Sequence, residues 1–356
     1  MASPQKRKTK RAATLADVGR AAGVSAMAVS AVMNNAQTSS RIATATRLRI
    51  LEAAQRLRYR PNAAARALAA RRMNTLGVAT VVEGQDLNQY FLEVFNGVMA
   101  TAAARNQNVT VFTLHDWKSD IDRLPGFCDG RIDGLILVGP TFTPEGLKVL
   151  PEHTPSVALH SNIALPNSVN LETDEDHGAF EAVSHLIKQG HRRILHLAGP
   201  SGLVGAERRA RGYERALREH DLPVDPAMKL VAGYSAQAGS AALKEWFHLG
   251  NRKAPDAIFC ANDYLASGCL EVLGQQGLKV PDDVSIVGFD DTLVARATLP
   301  QLTTVRQPLR EMGGRAVEIL LEQIDAHLAG GEHSHPHSIV FPTELVQRAS
   351  VAHRRG

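Results

Sequence analysis

Thr14-Leu15-Ala16-Asp17-Val18-Gly19-Arg20-Ala21-Ala22-Gly23-Val24-Ser25 is the stretch from which the rest of this chain can be read. Thr14 is a good helix N-cap, and Asp17, three residues on, sits near the positive end of the helix dipole. Leu15, Val18 and Ala22 make an apolar stripe at helical spacing. Gly23 permits a tight turn, and Ser25 caps a second helix that runs to Met33. In that helix Val29, Val32 and Met33 are expected to face inward, leaving Ala26, Met27, Ser30 and Ala31 on the outer face. A capped helix, a glycine turn and a second capped helix spell a helix-turn-helix. A third helix is expected over about 43–58, burying Ile50, Ala53, Ala54 and Leu57. Tyr59-Arg60-Pro61-Asn62 then opens an Ala-rich segment, with proline well placed for a first helical turn. So short a helix is marginal in water and needs a second copy or a bound duplex to form.

Charge follows the same division. Residues 1–72 hold fifteen Lys or Arg and two acids, a net +13, whereas the remaining chain carries −9. The overall +4 hides a basic head on an acidic body. Lys6 to Arg11 reads as a solvated tail, but bases interleaved with helical periodicity out to Arg72 point to phosphates as partner.

The 356 residues suffice for one small domain plus a body of two lobes. Cys128, Cys260 and Cys269 form neither a disulfide framework nor a metal-ligand spacing, and buried reduced thiols fit a cytoplasmic protein. The N-terminus has charge but no apolar signal-peptide core, and no run of about 18 apolar residues occurs, so neither export nor a membrane span is expected.

From Leu76 onward short apolar runs alternate with helical stretches. Strands are expected over 76–82, 109–114, 134–138, 156–159, 194–198, 229–231, 257–260 and 285–289. Helices are expected over about 91–104, 144–150, 178–188, 206–219, 236–249, 265–275 and 310–328. Such alternation implies parallel sheets covered by helices on both faces. The strand series is too long for one small sheet, so two similar lobes are expected. Ligands then gather where the carboxyl ends of the strands face a shared cleft.

The motifs Thr14-Leu15-Ala16-Asp17-Val18, Ala22-Gly23-Val24-Ser25, Tyr59-Arg60-Pro61-Asn62, Arg131-Ile132-Asp133-Gly134, Gly190-His191-Arg192-Arg193-Ile194, Ala261-Asn262-Asp263, Val280-Pro281-Asp282-Asp283-Val284, Val287-Gly288-Phe289-Asp290-Asp291 and Leu302-Thr303-Thr304-Val305 stand in this order. With them the chain resembles transcription regulators of the lactose-repressor (LacI/GalR) family from Thr14 to about Val351. The resemblance implies an all-α helix-turn-helix head, a hinge helix and a two-lobed α/β core like a periplasmic sugar-binding protein. It divides the chain into a basic tail (1–13), a DNA-binding head (14–59), a hinge (60–73), a core (74–351) and a short tail (352–356). Lobe one takes about 74–173 and 306–336, and lobe two 174–305 and 337–351. The implied partners are a pseudopalindromic double-stranded operator, a second copy of the chain, and a sugar-like small molecule bound between the lobes. No cofactor, metal or catalytic residue is implied. No leucine heptad follows Val351, which favours a dimer over a tetramer.

Residue by residue, the resemblance assigns DNA contacts to Thr14, Ser25, Ala26, Met27, Ser30, Ala31, Asn34, Tyr59, Asn62 and Arg66. It makes Leu68 the hinge leucine that wedges into the minor groove, where unstacking a base step is repaid by a kinked duplex with more contact. The chain reads Ala28-Val29-Ser30-Ala31 where many members carry an arginine last, so a two-pronged grip on guanine is missing. Arg58 replaces the glycine usual before the tyrosine, which costs about 1 kcal/mol if that backbone is left-handed. Arg209 matches the arginine that grips the effector, Asn262 and Asp290 its polar partners, and Tyr90, Phe91 and Tyr234 its aromatic faces. His177 lies near another cleft position.

Rival classes fare poorly. There is no G-x-S-x-G elbow, Walker loop, GxGxxG after a strand, or HExxH. Gly199-Pro200-Ser201-Gly202 lacks the lysine of a phosphate loop, and His333, His335 and His337 read as a solvated loop. A plain solute-binding protein has no use for a basic helix-turn-helix and needs an export signal.

Overall fold

The computed structural model describes residues 12–34, 42–61, 67, 72–82, 88–248, 254–331 and 335–354. The chain divides into two compact units at Met73/Asn74.

In the first unit α1 (Leu15–Ala22) and α2 (Ala26–Met33) meet at 104°. The angle is set by local chemistry. Thr14 and Asp17 form a reciprocal capping box, Thr14 Oγ1 accepting from the Asp17 amide and Asp17 Oδ2 accepting from the Thr14 amide at 2.9 Å. Gly23 ends α1 with φ 69°, a left-handed value that an L side chain resists. Ser25 Oγ accepts from the Ala28 amide and starts α2. Val18, Ala22, Val29 and Val32 then close on Ile50, Ala53 and Ala54 of α3 (Thr44–Arg56).

The second unit holds two six-stranded sheets. The first runs β11-β5-β4-β3-β1-β2, from β1 (Thr75–Val81), β2 (Asn108–Leu114), β3 (Gly134–Val138), β4 (Ser156–Leu159), β5 (Ser168–Thr173) and β11 (Ser338–Phe341). All its pairings are parallel. The second runs β12-β10-β9-β8-β6-β7, from β6 (Ile194–Ala198), β7 (Lys229–Val231), β8 (Ala257–Cys260), β9 (Ser285–Asp290), β10 (Thr303–Arg306) and β12 (Glu344–Val346). Only the β10–β12 pairing is antiparallel.

Parallel strands covered on both faces must be apolar throughout, and β3 and β6 are fully buried along their length. Their side chains alternate between two cores. On the first sheet Leu76, Val78 and Ile136 meet α4 (Gln89–Ala104) and α9 (Leu309–Leu328), while Ala79, Leu135 and Leu137 meet Phe112, Trp117 and Phe127 on the other face. On the second, α5 (Glu175–Lys188) and α6 (Val204–Glu219) cover one face, and α7 (Ala236–His248) and α8 (Asp263–Gln275) the other.

The chain passes between the sheets after Thr173, after Arg306 and after Phe341. The lobe boundaries expected from sequence are corrected accordingly. Arg306 belongs to the second sheet, and Ser338–Phe341, expected in lobe two, pairs with β5 in the first. That strand is a four-residue edge with little of it buried, too short to carry a period-two signal. The helix expected over 144–150 is one 3-10 turn, Gly146–Val149, confined between Pro144 and Pro151.

Candidate functional site

On the head, α2 presents Ser25, Ala26 and Met27 to solvent, and the Met27 side chain is 81 % exposed. Asn34 is exposed too, and its Nδ2 donates to Ser30 Oγ at 3.2 Å. Ala31, expected on this outer face, is instead buried. A methyl reaches little beyond the helix backbone, and only 9 % of Ala31 is accessible to solvent. Thr14 spends its hydroxyl on Asp17, and Tyr59 is half-buried against the head core. Arg58 has φ 50°, and the next amide, Tyr59 N–H, donates to the Ala54 carbonyl. Asn62, Arg66 and Leu68 lie outside the described residues, as does His333.

In the core the chemistry gathers at the carboxyl ends of the strands. Arg209, on α6, is buried; it donates to the Ala261 carbonyl beyond β8 and to Glu175 Oε1 at 3.0 Å, and lies 3.8 Å from Asp290 Oδ1 at the end of β9. Its guanidinium carbon stands 4.2 Å from the centroid of the Phe289 ring and 6.0 Å from that of Tyr234, within cation–π reach. Burial opposes the guanidinium charge, but Glu175 and Asp290 hold it strongly protonated. Asp290 is raised to about 6, by burial first, against the pull of Arg209 and Gln307.

A hydrogen-bonded chain leads from this cluster into the first lobe. Gln307 Nε2 donates to Asp290 Oδ1 at 2.6 Å, and Gln307 Oε1 accepts from Thr173 Oγ1. His160 Nε2 lies 3.1 Å from Thr173 Oγ1, and His160 Nδ1 lies 2.6 Å from the Tyr90 hydroxyl. With Thr173 donating onward, His160 Nε2–H donates and Nδ1 accepts from Tyr90. Burial depresses the imidazole pKa, which keeps it neutral and able to play both parts. Burial, then Glu175 and Asp290, push the Tyr90 phenol well above its usual range.

Tyr90, Arg209 and Asp290 are thus joined in one network. Asn262 and Tyr234 sit beside it: Asn262 Oδ1 accepts from the Leu265 amide as the cap of α8, and its Nδ2 donates to the Tyr234 carbonyl at 3.0 Å. Phe91 departs from expectation. It is fully buried in the first lobe and stacks on Phe95, so its ring serves packing, one position past the residue that faces the network. His177 is exposed on α5. Sequence reasoning missed Glu172, Glu175, His160, Thr173, Gln307 and Arg208. The signal that would have found most of them is position, since they directly follow or end strands.

Two domain families match the chain. One described as "Bacterial regulatory proteins, lacI family" covers residues 14–62, and one described as "Periplasmic binding protein-like domain" covers residues 183–351. The HTH-type transcriptional repressor PurR of Aliivibrio fischeri (strain MJ11) is 32% identical over 348 residues, covering 96% of this chain and 99% of that protein. The HTH-type transcriptional regulator DegA of Bacillus subtilis (strain 168) is 30% identical, covering 95% and 98%. The crystal structure of the Lac repressor dimer bound to operator and the anti-inducer ONPF matches with a TM-score of 0.82 and 26% identity, over 96% of this chain and 100% of that one. The CelR–cellobiose complex matches with a TM-score of 0.69 and 28% identity, over 95% and 99%.

Proposed function

The chain belongs to the LacI family of bacterial transcription regulators, and from that premise we propose that it is a dimeric repressor released from, or tightened on, a pseudopalindromic operator by a sugar-like effector held between its two lobes. It is a DNA-binding regulator and not an enzyme.

The observation that carries the effector half is the network of Arg209, Asp290, Gln307, Thr173, His160 and Tyr90, which draws on strand ends of both sheets. A ligand wedged there must alter hydrogen bonds to both lobes at once. Differential contacts of that kind are what let a small molecule bias two states. The supporting observation for the head is α2, capped and exposed over Ser25, Ala26 and Met27, on a segment of charge +13. In this reading Asn34, Tyr59, Asn62 and Arg66 position the duplex backbone, and Leu68 opens a base step at the operator centre. The protein works in the cytoplasm, where its operator is.

The test pairs two variants of the full-length protein in a gel-shift assay on a selected operator, with a panel of sugars. Arg209→Ala is expected to keep operator affinity within about 3-fold and to lose the response to the effector, since coupling is typically 5–150-fold. Leu68→Ala is expected to lose operator affinity and keep effector binding measured without DNA. A normal response in Arg209→Ala would place the effector elsewhere.

A further inference from the structure

Deepening the cleft reading, and resting on it, we propose that Glu175 selects the effector: a neutral ligand bearing a hydroxyl that donates to this carboxylate, with acids and phosphates of the same sugars refused. Glu175 opens α5 directly after the first crossing between the lobes and is almost wholly buried. Its Oε1 accepts from Arg209, whereas its Oε2 makes no hydrogen bond and stands 3.7 Å from Arg208 Nη1 in a longer ion pair. Arg209 likewise has a buried Nε–H without an acceptor. Two adjoining groups therefore keep one acceptor and one donor in reserve. A hydroxyl satisfies both, giving its proton to the carboxylate and offering its lone pair to the guanidinium.

Charge then excludes anions. Arg208, on α6, is matched by Glu172 of the first lobe at 2.6 Å and by Glu175 at 3.7 Å, and Arg209 by Glu175 and Asp290. Among the described residues of this cluster, three carboxylates face two guanidiniums. Both cations are already occupied, so an arriving carboxylate or phosphate meets Glu172, Glu175 and Asp290 without a charge to claim. Like charges brought together at a partly buried site discriminate strongly.

The experiment is a thermal-shift titration of the full-length protein at constant ionic strength. The probes are the glucose set (D-glucose, D-glucuronate, D-glucose 6-phosphate), the corresponding galactose set, and inorganic phosphate. Wild type should show no saturable stabilisation by any anionic probe. Glu175→Gln keeps an oxygen for Arg209 but removes the charge, and should bind at least one anionic probe at least 10-fold more tightly than wild type. Glu172→Gln, which leaves Arg208 only its longer contact with Glu175, should gain in the same direction and stands in if Glu175→Gln does not fold. Saturable binding of an acid or phosphate by wild type overturns the proposal, and so does a charge-neutral variant that gains nothing. The titration uses no operator, so a failure here is distinguishable from a failure of the regulator reading, which the gel shift with Arg209→Ala decides.

Discussion

Arg58 combines a left-handed backbone angle with an exposed cation. Its φ of 50° is left-handed, a region costing a non-glycine residue roughly 1 kcal/mol, yet the guanidinium is exposed where the head ends α3. Arg58→Gly should raise the stability of the head by about 1 kcal/mol in urea titration. It should also weaken operator binding and reduce the log–log salt slope by about 0.9, the share of one phosphate contact. An unchanged slope would show that Arg58 touches no phosphate. Asp263 illustrates a buried acid outside that surface. Its carboxylate accepts from the Thr292 amide and hydroxyl and from the Thr304 hydroxyl, but burial, then Asp290, raise it to about 8 from 3.8. An acid raised in the folded state favours folding at low pH, and that contribution is lost as pH rises from about 4 through about 8. Asp263→Asn removes the titration. The stability of wild type relative to this variant should fall by up to about 1.4 kcal/mol per pH unit across that window, and a flat difference from pH 5 to 8.5 would refute the assignment. Asp290 is legible in sequence because it stands in the motif Val287-Gly288-Phe289-Asp290-Asp291, whereas Arg209, between Arg208 and Arg211, is picked out only by the family resemblance. Glu175 is picked out by neither: Glu172, Asp174, Glu175 and Asp176 stand almost side by side, and only the packing of α5 on α6 decides which is buried.

At the scale of elements, local chemistry and apolar runs made most of the fold readable. The caps at Thr14 and Ser25 and the buried strands Gly134–Val138 and Ala257–Cys260 fall where residue types demand. What could not be read are the short strands Ser168–Thr173, Thr303–Arg306, Ser338–Phe341 and Glu344–Val346, whose pairing is fixed by distant partners rather than by their own pattern. Helix pairing was equally invisible. α4 and α9 approach so closely that a Cβ on Gly97 would stand 1.9 Å from the Arg310 carbonyl oxygen, and one on Gly313 would stand 2.1 Å from that of Val94. Gly313→Ala must therefore push the two helices apart, and a loss of about 1–3 kcal/mol is expected in denaturant titration. Gly274, exposed near the end of α8 with nothing within 4 Å of a built Cβ, is the contrast. Gly274→Ala should stabilise by about 0.5–1 kcal/mol through helix propensity. Equal effects at the two sites would show that the close approach of α4 and α9 carries no energetic consequence.

Across the whole core, three crossings join two rigid sheets, and the polar network ties the first two of them together. Thr173 ends the strand before the first crossing, Gln307 lies in the second, and Asp290 ends the neighbouring strand of the second sheet. Each sheet is packed on both faces and has little room to deform, so relative motion of the lobes must be taken up at the crossings. In the proposed reading the amide of Gln307 is a tie that a bound effector strengthens or breaks. Gln307→Ala leaves Thr173 without that acceptor and Asp290 without that donor, while the head and both apolar cores keep their contacts. Operator affinity without effector should stay within about 3-fold of wild type, because the reading helix is untouched. The ratio of affinities with and without effector should collapse from the roughly 5–150-fold typical of such coupling towards unity. Reciprocity makes the same point from the other side: if the tie carries the coupling, operator DNA must also lose its effect on effector affinity in this variant, by the same factor. A Gln307→Ala protein with a full response would move the coupling away from the crossings and into the packed faces of the lobes.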